Sequence, residues 1–294
     1  MTSTTSTFHL PNTQPPIPVT HPTSLSQDQL LAFPAFKTWL NTLRHSLSLQ
    51  RSSSTHPFHN SPYSLKSIEI QSFDLFSGQR LGFLKLKAQV SNDDGEHLPG
   101  SIFMRGGSVA MLIILTPSDS PHGSDQEPDT LPTPEEYAIL TLQPRIPAGS
   151  LSFVELPAGM IDDSGTFAGA AAREVREETG LEISADELID MTLLASQIDV
   201  DTSATSSEEE QLQPAMYPSP GGSDEFMPIF LARKSLSTRA IDELKGKLTG
   251  LRDHGEKITL KIVPVQEVWK VAWRDGKTLA AMAMYEGLRA EGRV

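Results

Sequence analysis

The segment 166–179 carries three glutamates at helical spacing, and this pattern constrains the fold more than any other feature of the chain. Glu174 and Glu178 are four residues apart and Glu177 is three from Glu174, so one helix face carries all three carboxylates. Like charges at this spacing destabilise a helix by roughly 0.2–0.5 kcal/mol per pair. If the cluster is partly buried it needs a counterion, and oxygen-only ligands favour Mg²⁺ or Mn²⁺.

The alternative is an ordinary solvent-exposed helix, on which Arg173 and Arg176 offset the glutamates. The flanking sequence favours the functional interpretation. Residues 153–156 read as a strand, a Pro-Ala-Gly turn and a loop follow, and Gly180 is a suitable residue to end the helix. These pieces form one coherent strand–loop–helix unit around the carboxylates.

The N-terminal part of the chain predicts a separate unit. Residues 1–25 are rich in Ser, Thr and Pro, so we expect a disordered tail. Residues 26–104 then predict an N-terminal helix and, from residue 60, a small antiparallel β-domain. The helix prediction rests on an apolar stripe, and the strand predictions rest on alternation with a period of two. The stripe comprises Phe36, Trp39, Leu40, Leu43 and Leu47; the alternating apolar residues are Ile68, Ile70, Leu84, Leu86, Ala88 and Val90.

Residues 105–294 predict one α/β domain, because strand and helix patterns are mixed along this part of the chain. The apolar run 109–115 indicates a strand buried on both faces. Further strands are predicted at 137–142, 153–156 and 257–263, and helices at 166–179, 236–251, 265–271 and 278–290. Trp269 and Trp273, which are four residues apart, are predicted to lie in the core.

Composition limits the classes of function. The formal net charge is −13, and the chain lacks a Lys/Arg cluster, which argues against a nucleic-acid partner. There is no cysteine, which excludes disulfides and thiolate chemistry. No apolar run approaches the roughly 20 residues that a transmembrane helix needs, so we expect no membrane partner. The N-terminal segment lacks the pattern of a secretory signal, so we expect a cytoplasmic protein, with organelle targeting left open.

The segment that begins at Gly159 resembles the signature of the Nudix hydrolase family. This Nudix box reads glycine, five residues, glutamate, seven residues, then Arg-Glu-hydrophobe-x-Glu-Glu-x-Gly-hydrophobe. The matching residues are Gly159, Arg173, Glu174, Val175, Glu177, Glu178, Gly180 and Leu181. Gly165 stands where the pattern has its first glutamate, which would normally pair with the box arginine. Asp162 or Asp163 are candidates to supply that carboxylate.

Other segments are similar to the ADP-sugar and ADP-ribose diphosphatase branch of the family, and most closely to its plant-type ADP-sugar diphosphatases. The similarity extends over roughly residues 35–294. The segments that carry it are residues 83–87, 103–107, 143–145, 155–159, 219–225, 249–256 and 283–287. The resemblance implies a Nudix α/β/α sandwich with a mixed sheet, preceded by the small antiparallel β-domain.

The resemblance also implies a metal site. Mg²⁺, with Mn²⁺ as an alternative, would be held by the backbone carbonyl of Ala158 and by Glu174 and Glu178. Glu177 would be a further ligand or would support the ligands. Glu256 would complete the metal cluster or act as the general base.

Catalysis would therefore rest on Glu256, Glu177 and Glu178. Arg145 would contact the diphosphate of the substrate, and the backbone of Met160 would line the site. The implied reaction is Mg²⁺-dependent hydrolysis of an ADP-sugar to AMP and a sugar phosphate, in a homodimer. His254, next to the proposed base, is expected to be a solvated loop histidine.

Two alternatives stay open. The substrate could be another nucleoside diphosphate derivative, such as UDP-glucose. The chain could also be a Nudix-type module that binds a nucleotide without cleaving it, although the three box glutamates are intact. The acidic, Ser-rich residues 202–220 are expected to form a solvated insertion.

Overall fold

The computed structural model describes residues 4–119, 135–161, 166–197, 210–251 and 256–294. The chain divides into two compact units. The first comprises Met1–Gly107, Asp199–Gln213 and Ser219–Phe226, and the second comprises Ser108–Ile198, Pro214–Pro218 and Met227–Val294. The first unit's first segment ends at Gly107, close to the predicted boundary after residue 104. The return of 219–226 to the first unit was not predicted, and Asp224 explains it by accepting hydrogen bonds from the backbone N–H groups of Arg105 and Gly106.

Within the described residues, the first unit is built on one sheet with two helices. Its strands are β1 Thr5–His9, β2 Pro18–Pro22, β3 Ser64–Leu75, β4 Leu81–Ser91, β5 His97–Leu98 and β6 Ser101–Met104; its helices are α1 Gln27–Ala32 and α2 Pro34–Ser52. Among the described residues the strand order is β1-β2-β3-β4-β5, with β6 also on β4. The predicted antiparallel sheet is confirmed, with one addition: β2 runs parallel to β3.

The prediction of a disordered tail is wrong for residues 4–25. Strands β1 and β2 pair with each other, and β2 extends the sheet at β3. The apolar residues of this Thr/Pro-rich segment supply the reason, since Leu10, Val19 and Leu25 are buried. A few well-spaced apolar side chains are thus enough to hold an otherwise polar hairpin on the unit.

Helix α2 confirms the predicted apolar stripe. Phe36 and Leu40 are buried, and Trp39, Leu43 and Leu47 pack against the same cluster. The buried side of the sheet supplies Ile68, Ile70, Leu84 and Leu86 to that cluster. The alternation with period two therefore identified the inward faces of β3 and β4.

The second unit contains a mixed sheet. Its strands are β7 Ser108–Pro117, β8 Tyr137–Arg145, β9 Ser150–Glu155, β10 Ala158–Met160, β11 Ile189–Asp190, β12 Ile229–Leu236, β13 Leu248–Thr249 and β14 Ile258–Pro264. The order within the described residues is β11-β12-β7-β8-β14-β13, with β10 on β7 and β9 on β8. β12 and β7 are parallel, whereas β7 and β8 are antiparallel.

Helices cover both faces of this sheet. They are α3 Phe167–Thr179, α4 Met191–Ser196, α5 Thr238–Leu244, α6 Val268–Val271 and α7 Gly276–Ala290. Alternate residues of β7 enter two different cores: Leu112 and Ile114 pack with α6 and α7, whereas Met111 and Ile113 pack with α3 and α5. This arrangement is the predicted α/β/α sandwich, and it explains why β7 is apolar at consecutive positions.

The predicted helix 236–251 is wrong in part. The chain leaves β12 at Leu236, forms the short helix α5, and then enters β13. Strand β12 was not predicted, because its apolar part, Ile229–Ala232, is a short run that periodicity alone does not assign.

The core assignment of Trp269 and Trp273 is also wrong. Each is 55 % exposed, and Lys270 and Arg274 lie over their rings. The buried positions of this helical turn are Val268 and Ala272, one residue earlier in each case. The four-residue spacing was correct, but the face was misassigned.

Helices within the described residues are too short or too polar to cross a membrane. Residues 202–209 of the predicted acidic insertion lie outside the described residues.

Candidate active site

Helix α3 presents the box glutamates in the second unit. The side chain of Thr166 caps its N-terminus by accepting a hydrogen bond from the backbone N–H of Gly169 at 3.1 Å. Gly180 ends the helix in the left-handed conformation, with φ of 76°. Ala171 and Val175 bury one face of the helix in the core. The predicted helix is therefore confirmed, including its terminal glycine.

Glu178 is held beneath strand β10. Its side chain is almost fully buried, with the residue 5 % exposed. One carboxylate oxygen accepts a hydrogen bond from the backbone N–H of Ala158 at 3.0 Å. Burial, and then the nearby charge of Glu174, raise the pKa of Glu178 to about 8. Burial and the neighbouring carboxylate disfavour the negative charge of Glu178, and a cation bound beside it would offset that cost.

Glu174 lies against the next residue of the same strand. A Cβ built on Gly159 would be 1.9 Å from the carboxyl carbon of Glu174. Only glycine leaves room for the carboxylate there. Strand β10 therefore brings Ala158 to Glu178 and Gly159 to Glu174, which places two carboxylates of α3 along one short stretch of backbone.

These residues fit a divalent cation. The two carboxylates repel each other, and in the described part of the chain no cation forms an ion pair with Glu178. Carboxylate and carbonyl oxygens are the ligands that Mg²⁺ prefers. The described residues do not, however, contain a ready cluster of three acidic or histidine side chains.

Glu177 precedes Glu178 in the last turn of α3, and Glu256 follows the loop after β13. The backbone carbonyl of Glu177 accepts a hydrogen bond from the N–H of Gly250 at 3.3 Å, which ties the loop after β13 to the last turn of α3. Glu256 is exposed, and its carboxylate accepts a hydrogen bond from the N–H of Leu251 at 3.1 Å. The described structure thus brings the loop to the helix but does not gather Glu256 with Glu174 and Glu178. His254 lies outside the described residues.

Arg145 and Met160 are the two predicted substrate residues. The Nε of Arg145 donates to the Oε1 of Glu155 at 2.6 Å, and its charge lowers the pKa of Glu178, opposing the effect of burial. The side chain of Arg145 remains partly exposed. Met160 is half-buried on β10, opposite Ser108 of β7. Both residues therefore lie close to the elements that carry the glutamates.

A buried ionic network that no sequence pattern predicted lies behind Arg145. Glu155, at the end of β9, forms an ion pair with Lys277 of α7, and Lys277 also contacts Asp275 at 3.1 Å. Asp275 accepts a hydrogen bond from the hydroxyl of Thr278 at 2.6 Å. An Asp-Gly-Lys-Thr sequence does signal a helix start, but nothing local pairs Lys277 with a residue 122 positions away.

Comparison with known proteins identifies the family of this chain. The NUDIX domain model matches residues 130–282. Over 261 residues, 88 % of this chain and 72 % of the relative, the chain is 37 % identical to Nudix hydrolase 14, chloroplastic, of Arabidopsis thaliana. It is 54 % identical over 44 residues, 15 % of this chain and 19 % of the relative, to putative nudix hydrolase 2 of Caenorhabditis elegans.

A solved structure described as an ADP compounds hydrolase aligns with 79 % of this chain and 99 % of its own, with 16 % identity and a TM-score of 0.44. The family assignment rests on the matched domain, on the long match to the Arabidopsis protein, and on the box residues in place on α3 and β10. This chain belongs to the Nudix hydrolase family.

Proposed function

We propose that this protein hydrolyses the diphosphate bond of ADP-sugars, such as ADP-glucose or ADP-ribose, and releases AMP and a sugar phosphate. The observation that carries the proposal is the pair of glutamates, Glu174 and Glu178, that α3 holds against Ala158 and Gly159 of β10. A purely structural helix face would place its carboxylates in solvent, whereas here Glu178 is buried at the cost of a strongly raised pKa.

Mg²⁺ is the proposed cofactor, with Mn²⁺ as an alternative. The backbone carbonyl of Ala158 and the carboxylates of Glu174 and Glu178 would hold it, and Glu177 and Glu256 would complete the set. When bound, such an ion polarises phosphoryl oxygens, lowers the pKa of bound water and orients the substrate. The net charge of −13 makes a cation at this site especially important, since a diphosphate would otherwise be repelled.

Side chains of the protein would bind the substrate and accept the proton of the attacking water. Arg145 would bind the diphosphate through its guanidinium nitrogens other than Nε, which donates to Glu155. Glu256 would accept the proton of the attacking water, which adds to one phosphorus as the bridging P–O bond breaks. Because the described residues do not gather Glu256 with Glu174 and Glu178, Glu256 would have to approach α3 for this role.

The choice of ADP-sugars is supported by the branch-like segments outside the box. Arg145 ends β8, Glu155 ends β9 and Ala158 begins β10, and all three act on the carboxylate of Glu178 through charge or a hydrogen bond. We also propose a homodimer, which the branch resemblance implies, and a cytoplasmic location. A gel-filtration experiment with light scattering tests the dimer.

A substrate screen tests the proposal directly. The purified chain is incubated in Mg²⁺ with ADP-glucose, ADP-ribose, UDP-glucose and nucleoside triphosphates, and phosphate is measured after coupled phosphatase treatment. Faster turnover of the ADP-sugars is the expected result. Preferred turnover of UDP-glucose or of a triphosphate would show that the proposed substrate class is wrong, although the protein would still be a hydrolase. Binding of ADP-sugars without turnover would contradict the proposal that the protein is an enzyme.

A further inference from the structure

The buried ionic network at the start of α7 is not explained by helix capping alone. Asp275 already caps α7, because its carboxylate accepts hydrogen bonds from the backbone N–H and the hydroxyl of Thr278. Lys277 is not needed for this cap, yet its side chain is only 9 % exposed and lies between Asp275 and Glu155. A buried lysine is costly unless it is paired, so its position calls for a reason.

Charges alternate along the network. The partly exposed Arg145 pairs with the buried Glu155, Glu155 pairs with Lys277, and Lys277 pairs with Asp275. Lys277 contacts the Oε2 of Glu155, whereas Arg145 contacts the Oε1. Each carboxylate oxygen of Glu155 therefore has its own cation, and the four formal charges sum to zero.

Because Lys277 occupies one oxygen of Glu155 and Arg145 the other, Arg145 needs only one of its guanidinium nitrogens for this carboxylate. Arg145 uses Nε for Glu155, and the distance of 2.6 Å fixes that edge of the guanidinium. The planar guanidinium can then offer its other nitrogens as a fork, which suits a phosphate. Without Lys277, the buried Glu155 would lack a partner at Oε2. Arg145 would be the nearest described cation able to compensate, and it would be drawn inward.

We propose that Lys277 is a positioning residue for Arg145: by occupying one oxygen of Glu155, it keeps the guanidinium of Arg145 directed outward, where it binds the diphosphate of the ligand. This inference rests on the proposed role of Arg145 in the proposed function. Lys277 itself does not touch the ligand.

A competing explanation is purely mechanical. The backbone N–H of Leu156 contacts both Asp275 and Thr278, so the network also joins the end of β9 to α7. If this were its only role, loss of Lys277 would lower stability without acting through Arg145. The two explanations therefore differ in whether the effects of Lys277 and Arg145 depend on each other.

A double-mutant cycle separates them. The dissociation constant of α,β-methylene-ADP, a diphosphate that resists hydrolysis, is measured by calorimetry at fixed Mg²⁺. The proteins are the wild type, Lys277→Met, Arg145→Ala and the double variant. We expect Lys277→Met to weaken binding about tenfold alone and less than twofold in the Arg145→Ala background. The conservative variant Lys277→Arg should recover part of the loss.

Two controls address charge and stability. Lys270→Met removes one lysine charge from the neighbouring helix α6, where Lys270 is exposed, and should leave the dissociation constant unchanged. Leu288→Ala creates a cavity under α7 and should lower the melting temperature without changing the dissociation constant. If Lys277→Met does not fold, Lys277→Gln is taken through the same cycle.

The outcomes are distinct. Equal losses from Lys277→Met with and without Arg145 overturn the positioning role, and so does wild-type protein that fails to bind the probe. A coupled cycle in a protein that hydrolyses none of the screened substrates supports the positioning role while the proposed function fails. If the losses are additive and the protein hydrolyses ADP-sugars, the positioning role fails while the proposed function stands.

Discussion

The α-carbon of Gly159 lies against the carboxylate of Glu174, so that a Cβ added to Gly159 would be 1.9 Å from the Cδ of Glu174 and 2.2 Å from each of its oxygens. We predict that Gly159→Ala displaces this carboxylate and lowers apparent Mg²⁺ affinity or activity by about 10–100-fold, as is typical when the support of a metal ligand is lost. Titration of activity with Mg²⁺ measures the shift.

Stability should respond much less than activity to Gly159→Ala, because the group that must move is the flexible end of a side chain. Gly287→Ala is the matched control, since a Cβ added there meets no atom within 4 Å. It lies inside α7 and should raise stability by up to about 1 kcal/mol without changing the Mg²⁺ requirement. If wild type and Gly159→Ala show the same dependence of activity on Mg²⁺ concentration, Glu174 is not a metal ligand.

The raised pKa of Glu178 predicts a pH-dependent stability in metal-free protein. The unfolded chain releases this proton near the ordinary value of 4.5, whereas the folded protein holds it until about pH 8. The contribution of Glu178 is therefore fully present below about pH 4.5 and is lost as the pH rises through about 8. Urea unfolding in EDTA at pH 5.5, 7 and 8.5 should show wild type losing stability relative to Glu178→Gln.

The glutamine variant isolates this effect, since it keeps an acceptor for the N–H of Ala158 and removes the charge. Added Mg²⁺ should restore the stability of wild type at pH 8.5, because an ion that binds only the folded state stabilises it. A stability difference between the two proteins that does not change with pH would contradict the assigned burial of the charge.

Glu256→Gln tests the proposed general base. A residue that removes a proton in the transition state contributes mainly to turnover. We therefore expect kcat to fall by about 10²–10⁴-fold, the usual contribution of acid–base catalysis, with KM little changed. Steady-state kinetics on the best substrate measures both constants. A raised KM with unchanged kcat would make Glu256 a binding residue.

Gly165→Glu tests the one departure from the Nudix box. Gly165 lies outside the described residues, as do Asp162 and Asp163, so their pairing with Arg173 stays a prediction. Exposed pairs of arginine and carboxylate contribute only about 0–1 kcal/mol. Restoring the glutamate should therefore change kcat by less than about tenfold. A variant that gains hydrolysis where wild type has none would show that the missing glutamate decides activity.

Local pattern was sufficient for the elements that carry the site. The periodicity of 166–179 and the terminal Gly180 gave α3 with its carboxylates on one face, and the continuous apolar run gave the buried β7. The box motif identified the family. These elements could be predicted because helical spacing and a continuous apolar run are both visible among residues that are close together in the sequence.

Long-range contacts could not be predicted in the same way. Nothing adjacent to Lys277 indicates its pairing with Glu155, and nothing adjacent to Asp224 indicates that it binds the backbone at Arg105. The N-terminal hairpin was missed because its polar composition outweighs three buried apolar residues, Leu10, Val19 and Leu25. In each case the partner is supplied by the tertiary fold.

Hydrolysis of ADP-glucose and ADP-ribose by wild type and by Glu178→Gln, in Mg²⁺ and with products identified by chromatography, tests the central claim most directly. We predict that wild type releases AMP and the sugar phosphate, and that Glu178→Gln, although folded, loses nearly all turnover. Wild-type protein that binds these compounds without cleaving them would contradict the account, and so would full turnover by Glu178→Gln at saturating Mg²⁺.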